Sequence, residues 1–235
     1  MNIYRIIPLK NERNPNMKKV ILSLLVLCMI LSGCGSSREN HTEIVVTQPE
    51  TKSAAIIYPL PDSTMDTIEN ATFAISLEEG DAYVDDTGAM QMDVKVYSYD
   101  RFDMVDIAGL KTGDIIVTHS GEVAVSSVER NASGAILING GLDNGGMELM
   151  GDVGGVYYET GYNDAKSWHE VGEATLRVST DLEFWDNMDL EMGQQIFYAG
   201  SFLVGEVTDY HFTPHNTTIR TENGQIVFME RIYTP

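Results

Sequence analysis

The stretch MQMDVKVY, from Met90 to Tyr97, decides the fold class because it alternates apolar and polar side chains without a break. Successive side chains of a β-strand point to opposite faces of the sheet, whereas one face of a helix repeats every three or four residues. We therefore predict a strand here. Its buried face is formed by Met90, Met92, Val94 and Val96.

Turn residues recur at short intervals on both sides of this strand. Asp85-Asp86-Thr87-Gly88 precedes it, Ser120-Gly121 separates two apolar runs, and Asn223-Gly224 lies between two runs near the C-terminus. Asn-Gly is the strongest short hairpin signal, because both residues tolerate the positive φ of a type I′ turn. Short helical turns are predicted only within residues 102–110 and 196–203.

Many short strands joined by such turns are typical of all-β architectures. The sequence predicts a mainly β protein, a small antiparallel β-sandwich or barrel with at most short helices. The predicted domain covers residues 70–235 and is long enough to bury one core without disulfides or a structural metal.

The N-terminal region has the composition of an export signal. Lys18 and Lys19 precede an apolar run, Val20–Leu31, which is interrupted by a single polar residue, Ser23, and is shorter than the roughly 20 residues that a membrane-spanning helix needs. At the end of this run, Leu31-Ser32-Gly33-Cys34 resembles the lipobox of bacterial prolipoproteins. An ordinary secretion signal with a chance cysteine is the alternative interpretation.

The resemblance implies that Cys34 receives a diacylglyceryl group and becomes the first residue of the mature chain. Residues 1–33, with the expected start at Met17, would then be a cleaved signal helix, and residues 34–69 a flexible tether. Within this tether, Ile56-Ile57-Tyr58 can pack on the domain as an edge strand. Two or more acyl chains would hold the protein at the cell membrane, facing the extracytoplasmic side.

The charge of the chain limits its possible partners, and its cysteine content limits its possible disulfides. The chain carries 35 acidic against 15 basic residues, a formal net charge of −20. Nucleic-acid backbones repel such a chain, so we expect no nucleic-acid partner. The only cysteines are Cys28, inside the apolar run, and Cys34. The mature chain therefore contains no internal disulfide.

The most aromatic stretch, residues 156–169, is the predicted ligand-binding region. Stiff aromatic rings beside polar groups suit a carbohydrate or a peptide, and we expect such a groove to use Tyr157, Tyr162, Asp164 and Trp168. A strand pair that buries half of its aromatic side chains is the alternative.

Metal and catalytic candidates are less specific. Calcium could bind the acidic residues of segment 181–191, although their spacing matches no calcium loop, and zinc could bind Asp209, His211 and His215. His119 and Ser120 are adjacent, and adjacent strand residues point apart, so we expect no activated serine there. No cofactor is predicted.

Taken together, these patterns predict a lipid-anchored, extracytoplasmic binding or interaction module. Its partner would be the membrane together with a carbohydrate, a peptide or an envelope protein. A hydrolase acting on wall or exported polymers is the alternative, as is a structural component of an envelope complex.

Overall fold

A computed structural model describes residues 53–152, 154–161 and 165–234. Cys34, the predicted export signal, most of the predicted tether, Tyr162 and Asp164 therefore lie outside the described residues. Residues 52–235 belong to one compact unit. Within the described part, neither helix is long and apolar enough to cross a membrane.

The described residues form fifteen strands and two short α-helices. The strands are β1 (Ile56–Ile57), β2 (Thr72–Ser76), β3 (Ala82–Val84), β4 (Met90–Tyr99), β5 (Arg101–Asp103), β6 (Ile115–Thr118), β7 (Gly121–Ala124), β8 (Val128–Arg130), β9 (Ile136–Ile138), β10 (Met147–Gly151), β11 (Val156–Glu159), β12 (Trp168–Asn187), β13 (Gln195–Tyr198), β14 (Thr217–Glu222) and β15 (Gln225–Ile232). The helices are α1 (Met104–Ala108) and α2 (Ala199–Leu203). The expected mainly β fold is confirmed.

Five strands close into a barrel in the order β12-β15-β14-β2-β4, because β12 pairs with both β15 and β4. β12 can do so because it is 20 residues long: its first half pairs with β4 and its second half with β15. β12 and β15 run parallel, whereas the other neighbours in the ring are antiparallel. β3 and β13 extend the sheet beyond the ring.

The remaining strands form two smaller sheets, β1-β6-β7 and β5-β11-β10-β9-β8. Side chains from both of these sheets and from α1 share a second core, which includes Ile57, Phe102, Ile107, Ile116 and Leu149. The barrel has a different core, which is formed by side chains of its strands and of α2. One polypeptide unit thus holds two apolar clusters.

The alternation that led to the prediction is visible in β4. Met92, Val94 and Val96 are at most 3% exposed, whereas Asp93 and Lys95 face solvent. The hairpin between β14 and β15 turns at Asn223-Gly224, whose φ angles are 52° and 73°. Both predicted helical turns are also present, as α1 and α2. These three predictions are confirmed.

The expected tether is folded at its C-terminal end. Ile56 and Ile57 form β1, which pairs with β6 at the edge of the three-stranded sheet, and Ile57 is only 5% exposed. Met65 and Ile68 pack against the barrel core. The folded part therefore begins before residue 70, because residues far along the chain bury Ile57 and partly bury Met65 and Ile68.

Candidate functional site

Three sheets meet at a cluster of polar side chains. Asp100 links β4 of the barrel to β5 of the five-stranded sheet, Glu159 ends β11, and His169 is the second residue of β12. His119 belongs to the two-residue loop between β6 and β7, in the three-stranded sheet. The site thus lies where strands of all three sheets begin or end.

Asp100 and His119 are joined by two contacts. The backbone N–H of His119 donates to Asp100 Oδ2 at 2.7 Å, and His119 Nδ1 lies 3.1 Å from the same oxygen. The Asp100 side chain is 7% exposed and that of His119 is 28% exposed. The carboxylate is therefore buried and fixes the orientation of the imidazole.

His119 also contacts Ser120, contrary to expectation. Its Nε2 lies 2.9 Å from Ser120 Oγ, so one ring nitrogen contacts a carboxylate and the other a hydroxyl. The predicted divergence of the two side chains requires that both residues lie on a strand. They instead form the hairpin loop between Thr118 and Gly121, where neighbouring side chains need not diverge.

His169 stacks on His119, with ring centroids 4.0 Å apart and ring planes inclined by 21°. Its Nδ1 is buried and has no hydrogen-bond partner. Burial, together with nearby His119, lowers the pKa of His169 below its ordinary value of 6.5, so the ring is neutral at pH 7. A buried, neutral ring nitrogen without a partner is unusual in a folded protein.

Glu159 is the second group with an unpartnered buried atom, its Oε2. Burial raises the pKa of Glu159 above its ordinary value of 4.5, against an opposing effect of His119. Glu159 and Ser120 both line a cavity of about 240 Å³, whose wall also includes Asn139 and Met147. Glu159 is thus the member of the polar cluster that lines this cavity.

Asp100, His119 and His169 could hold a metal ion. One donor atom from each of the three lies within 4.8 Å of the others. Zinc binds imidazole nitrogen and carboxylate oxygen at about 2.0–2.2 Å, so tetrahedral ligands are about 3.4 Å apart. The separation of 3.1 Å between His119 Nδ1 and Asp100 Oδ2 is close to this value.

Tyr157 and Trp168, the two residues of the predicted ligand-binding set that the structure describes, do not pack together. Trp168 packs edge-on against Tyr99, and the Lys166 ammonium lies 4.0 Å from the centre of the Tyr99 ring. Tyr157 packs against the second core instead. Tyr157 and Tyr158 are successive strand residues, and Tyr158 rather than Tyr157 contacts Tyr99. Trp168 and Tyr157 thus belong to different clusters.

Neither acidic metal candidate forms a ligand group among the described residues. Asp186 is paired with buried Arg231, and Asp189 accepts hydrogen bonds from nearby backbone N–H groups. His211 contacts Asp209, but His215 does not complete a group of three ligands with them in the described part of the chain.

Sequence reasoning missed Asp100, Glu159 and His169 because they are far apart along the chain. Each follows an aromatic residue at a strand end, in the pairs Tyr99-Asp100, Tyr158-Glu159 and Trp168-His169. Side-chain alternation places the aromatic members on one face and the polar members on the other. This repeated aromatic–polar pair is the one local signal that could have identified them.

Comparison with known proteins adds no relative: no family model matches the chain, and no curated protein or solved structure is significantly similar to it. The site must be interpreted from its own chemistry.

Proposed function

We propose that this protein is a lipid-anchored, extracytoplasmic protein that binds a divalent transition-metal ion, zinc in particular, through Asp100, His119 and His169. One observation carries the metal assignment: three potential ligands converge, and one of them, His169, has a buried ring nitrogen without any partner. Buried polar atoms in native proteins nearly always have a partner, and an absent ion is a standard reason when they do not.

The contacts of His119 support this assignment. Metal-binding histidines commonly donate their second ring N–H to an oxygen, which fixes the tautomer. If His119 Nε2–H donates to Ser120 Oγ, then Nδ1 carries the lone pair and lies 3.1 Å from Asp100 Oδ2. Ser120 would thus orient a metal ligand.

The donor set favours zinc over calcium. Two imidazoles and one carboxylate are typical zinc ligands, whereas calcium takes six to eight oxygen atoms. Calcium therefore does not suit this cluster, even in an acidic exported protein.

A catalytic serine is the competing interpretation of the same contacts. Asp100, His119 and Ser120 have the order and spacing of a carboxylate–imidazole–hydroxyl series. That interpretation gives no role to the unpartnered ring nitrogen of His169, whereas a bound cation gives His169 a partner. The metal assignment explains more of the site.

The anchor is part of the proposal and is supported by the lipobox sequence ending at Cys34. It is tested by intact mass and membrane partitioning of the native protein beside Cys34→Ser, expressed in the same host. The native protein should begin at a lipid-modified Cys34 and stay with membranes. Release of both proteins without modification would contradict the anchor.

The metal site is tested by zinc titration of the processed protein, purified in detergent and stripped with a chelator. We expect one zinc ion per chain, bound in competition with a chromophoric chelator. His169→Gln should weaken zinc binding at least about tenfold, since even supporting residues of metal sites contribute that much. His215→Gln, an exposed histidine elsewhere, is the control and should leave zinc affinity unchanged. Equal affinities of both variants would refute the site.

A further inference from the structure

A second cavity lies where β2 and β4 stop pairing. These strands are paired from Ala74–Ser76 to Lys95–Tyr97, and β4 continues beyond this point toward β5. The chain ahead of β2 lies against this end of β4, since the Leu60 N–H donates to the Arg101 carbonyl at 2.6 Å. A cavity of about 260 Å³ remains between these segments. No metal ligand proposed above is among the described residues that line it.

Aromatic and hydroxyl residues form most of the cavity wall. The aromatic members are Tyr97, Tyr99 and Trp168. The hydroxyl members are Ser63, Thr64, Thr67, Thr72 and Ser98. Hydroxyl groups both donate and accept hydrogen bonds, and aromatic rings offer stiff apolar area. This combination suits a sugar ring, which has hydroxyl groups at its rim and apolar C–H groups on its faces.

The aromatic residues are held in place by contacts of their own. The Lys166 ammonium donates to the Tyr99 hydroxyl at 2.8 Å. The Tyr97 hydroxyl lies 3.1 Å from Ser76 Oγ. Trp168 packs edge-on against Tyr99, with ring centroids 5.0 Å apart. A wall that is fixed before a ligand arrives loses little conformational entropy on binding, so the cavity is preorganised.

Arg101 is the charged member of the wall. No Asp or Glu is among the described residues that line the cavity, although the chain carries 35 acidic residues against 15 basic ones. Arg101 is partly buried, and its guanidinium forms no ion pair with any residue that the structure describes. Arg220 and Arg231, by contrast, are paired with Glu222 and Asp186. A partly buried guanidinium without a protein partner indicates a ligand that carries negative charge.

We propose that this cavity binds one sugar unit that carries a carboxylate, with Arg101 as the partner of the carboxylate. The planar guanidinium can donate two parallel hydrogen bonds to a carboxylate. One guanidinium balances the single charge of a carboxylate, whereas a dianionic phosphate would keep an excess negative charge in an acidic protein. At about 260 Å³ the cavity is smaller than the roughly 300–1,000 Å³ that encloses a drug-sized ligand. It therefore holds one unit of a larger carbohydrate.

The first experiment uses D-glucuronate as the probe and the tryptophan indole N–H signals of a ¹⁵N NMR spectrum as the readout. The chain has only two tryptophans, and the indole N–H of Trp185 donates to Glu183 at 3.2 Å, away from the cavity wall. Trp185→Phe assigns the two signals. Glucuronate should shift the Trp168 signal with saturation and leave the Trp185 signal in place. A Trp168 signal that glucuronate leaves unmoved would overturn the proposal.

The titration uses the processed protein in detergent after removal of metal with a chelator. Glucuronate binding measured in this way does not depend on the zinc site. Loss of the zinc assignment would therefore leave this proposal standing, and failure of glucuronate binding would leave the zinc assignment standing.

The second experiment removes the charge of the cavity wall. Arg101→Gln should weaken glucuronate binding about tenfold or more, because hydrogen bonds to charged groups contribute that much. Arg177→Gln is the matched control, since Arg177 is an exposed arginine of β12 outside the cavity wall, and this variant should bind glucuronate like the native protein. In both variants the Trp185 signal reports whether the barrel is folded. Equal affinities of the two variants would overturn the role of Arg101.

The third experiment compares ligands on the native protein, so it does not depend on the folding of a variant. Glucose lacks the carboxylate and acetate lacks the sugar, and each should bind at least about tenfold more weakly than glucuronate. Acetate binding equal to that of glucuronate would mean a simple anion site, and equal glucose binding would mean that the carboxylate is not recognised. Tighter binding of glucose 6-phosphate or of an acetylated glutamyl amide would identify a phosphate or a peptide ligand. Each of these results would overturn the proposal.

Discussion

Arg231→Met should strongly destabilise the barrel, because Arg231 is the partner of a buried carboxylate. Its guanidinium donates to both oxygens of Asp186 and, at 2.7 Å, to the backbone carbonyl of Asp209. The side chains of Arg231 and Asp186 are 2% and 11% exposed. Removing one member leaves an uncompensated buried charge, which typically costs about 3–5 kcal/mol.

The free energy of unfolding can be measured by urea denaturation followed by tryptophan fluorescence, since Trp168 and Trp185 both lie on β12. With an m-value of about 2 kcal/mol/M, the expected loss lowers the urea midpoint by about 1.5–2.5 M. Arg220→Met is the control: Arg220 and Glu222 form an ion pair that is more than half exposed. Exposed pairs contribute about 0–1 kcal/mol.

A second substitution, which neutralises the Asp186 carboxylate, distinguishes the loss of the ion-pair attraction from the cost of a buried charge without a partner. Asp186→Asn combined with Arg231→Met should regain a large part of the lost stability, because the amide is uncharged and can still accept from the Met188 N–H. A midpoint for Arg231→Met within about 0.5 M of the native protein would refute the reasoning. So would a double variant less stable than Arg231→Met alone.

Two further predictions concern the other sheets. Burial raises the pKa of Asp114, but hydrogen bonds from the N–H groups of Ala55 and Lys111 outweigh it and hold the pKa below its ordinary value of 3.8. The stability that the Asp114 carboxylate contributes is fully present above its ordinary pKa and is lost as the pH falls through its lower pKa in the folded protein. Asp114→Asn should therefore flatten this loss of stability in acid denaturation curves. An unchanged slope would contradict the prediction. Gly146→Ala should destabilise the hairpin between β9 and β10, because a Cβ at residue 146 would lie 2.1 Å from the Ile138 carbonyl oxygen. Thermal unfolding of this variant should show a clear decrease in Tm. An unchanged Tm would mean that the backbone relaxes freely and would contradict the prediction.

Local patterns predicted much of the secondary structure. The alternation in β4, the Asn223-Gly224 turn and the short helices each depend on neighbouring residues, and a chain segment of a few residues contains that information. Barrel closure could not be predicted in this way. It depends on β12 pairing with β4 in one half and β15 in the other, and such long-range pairing leaves no local pattern.

The sequence by itself also determined the acidic composition, the lipobox-like ending at Cys34 and the mainly β character of the chain. Only the tertiary structure decided the site. Asp100, His119, Glu159 and His169 come from different sheets, and their significance lies in distances and burial that appear when the three sheets meet. Spacing along the chain does not encode such proximity, because loop closure between distant strands depends on the packing of the whole unit.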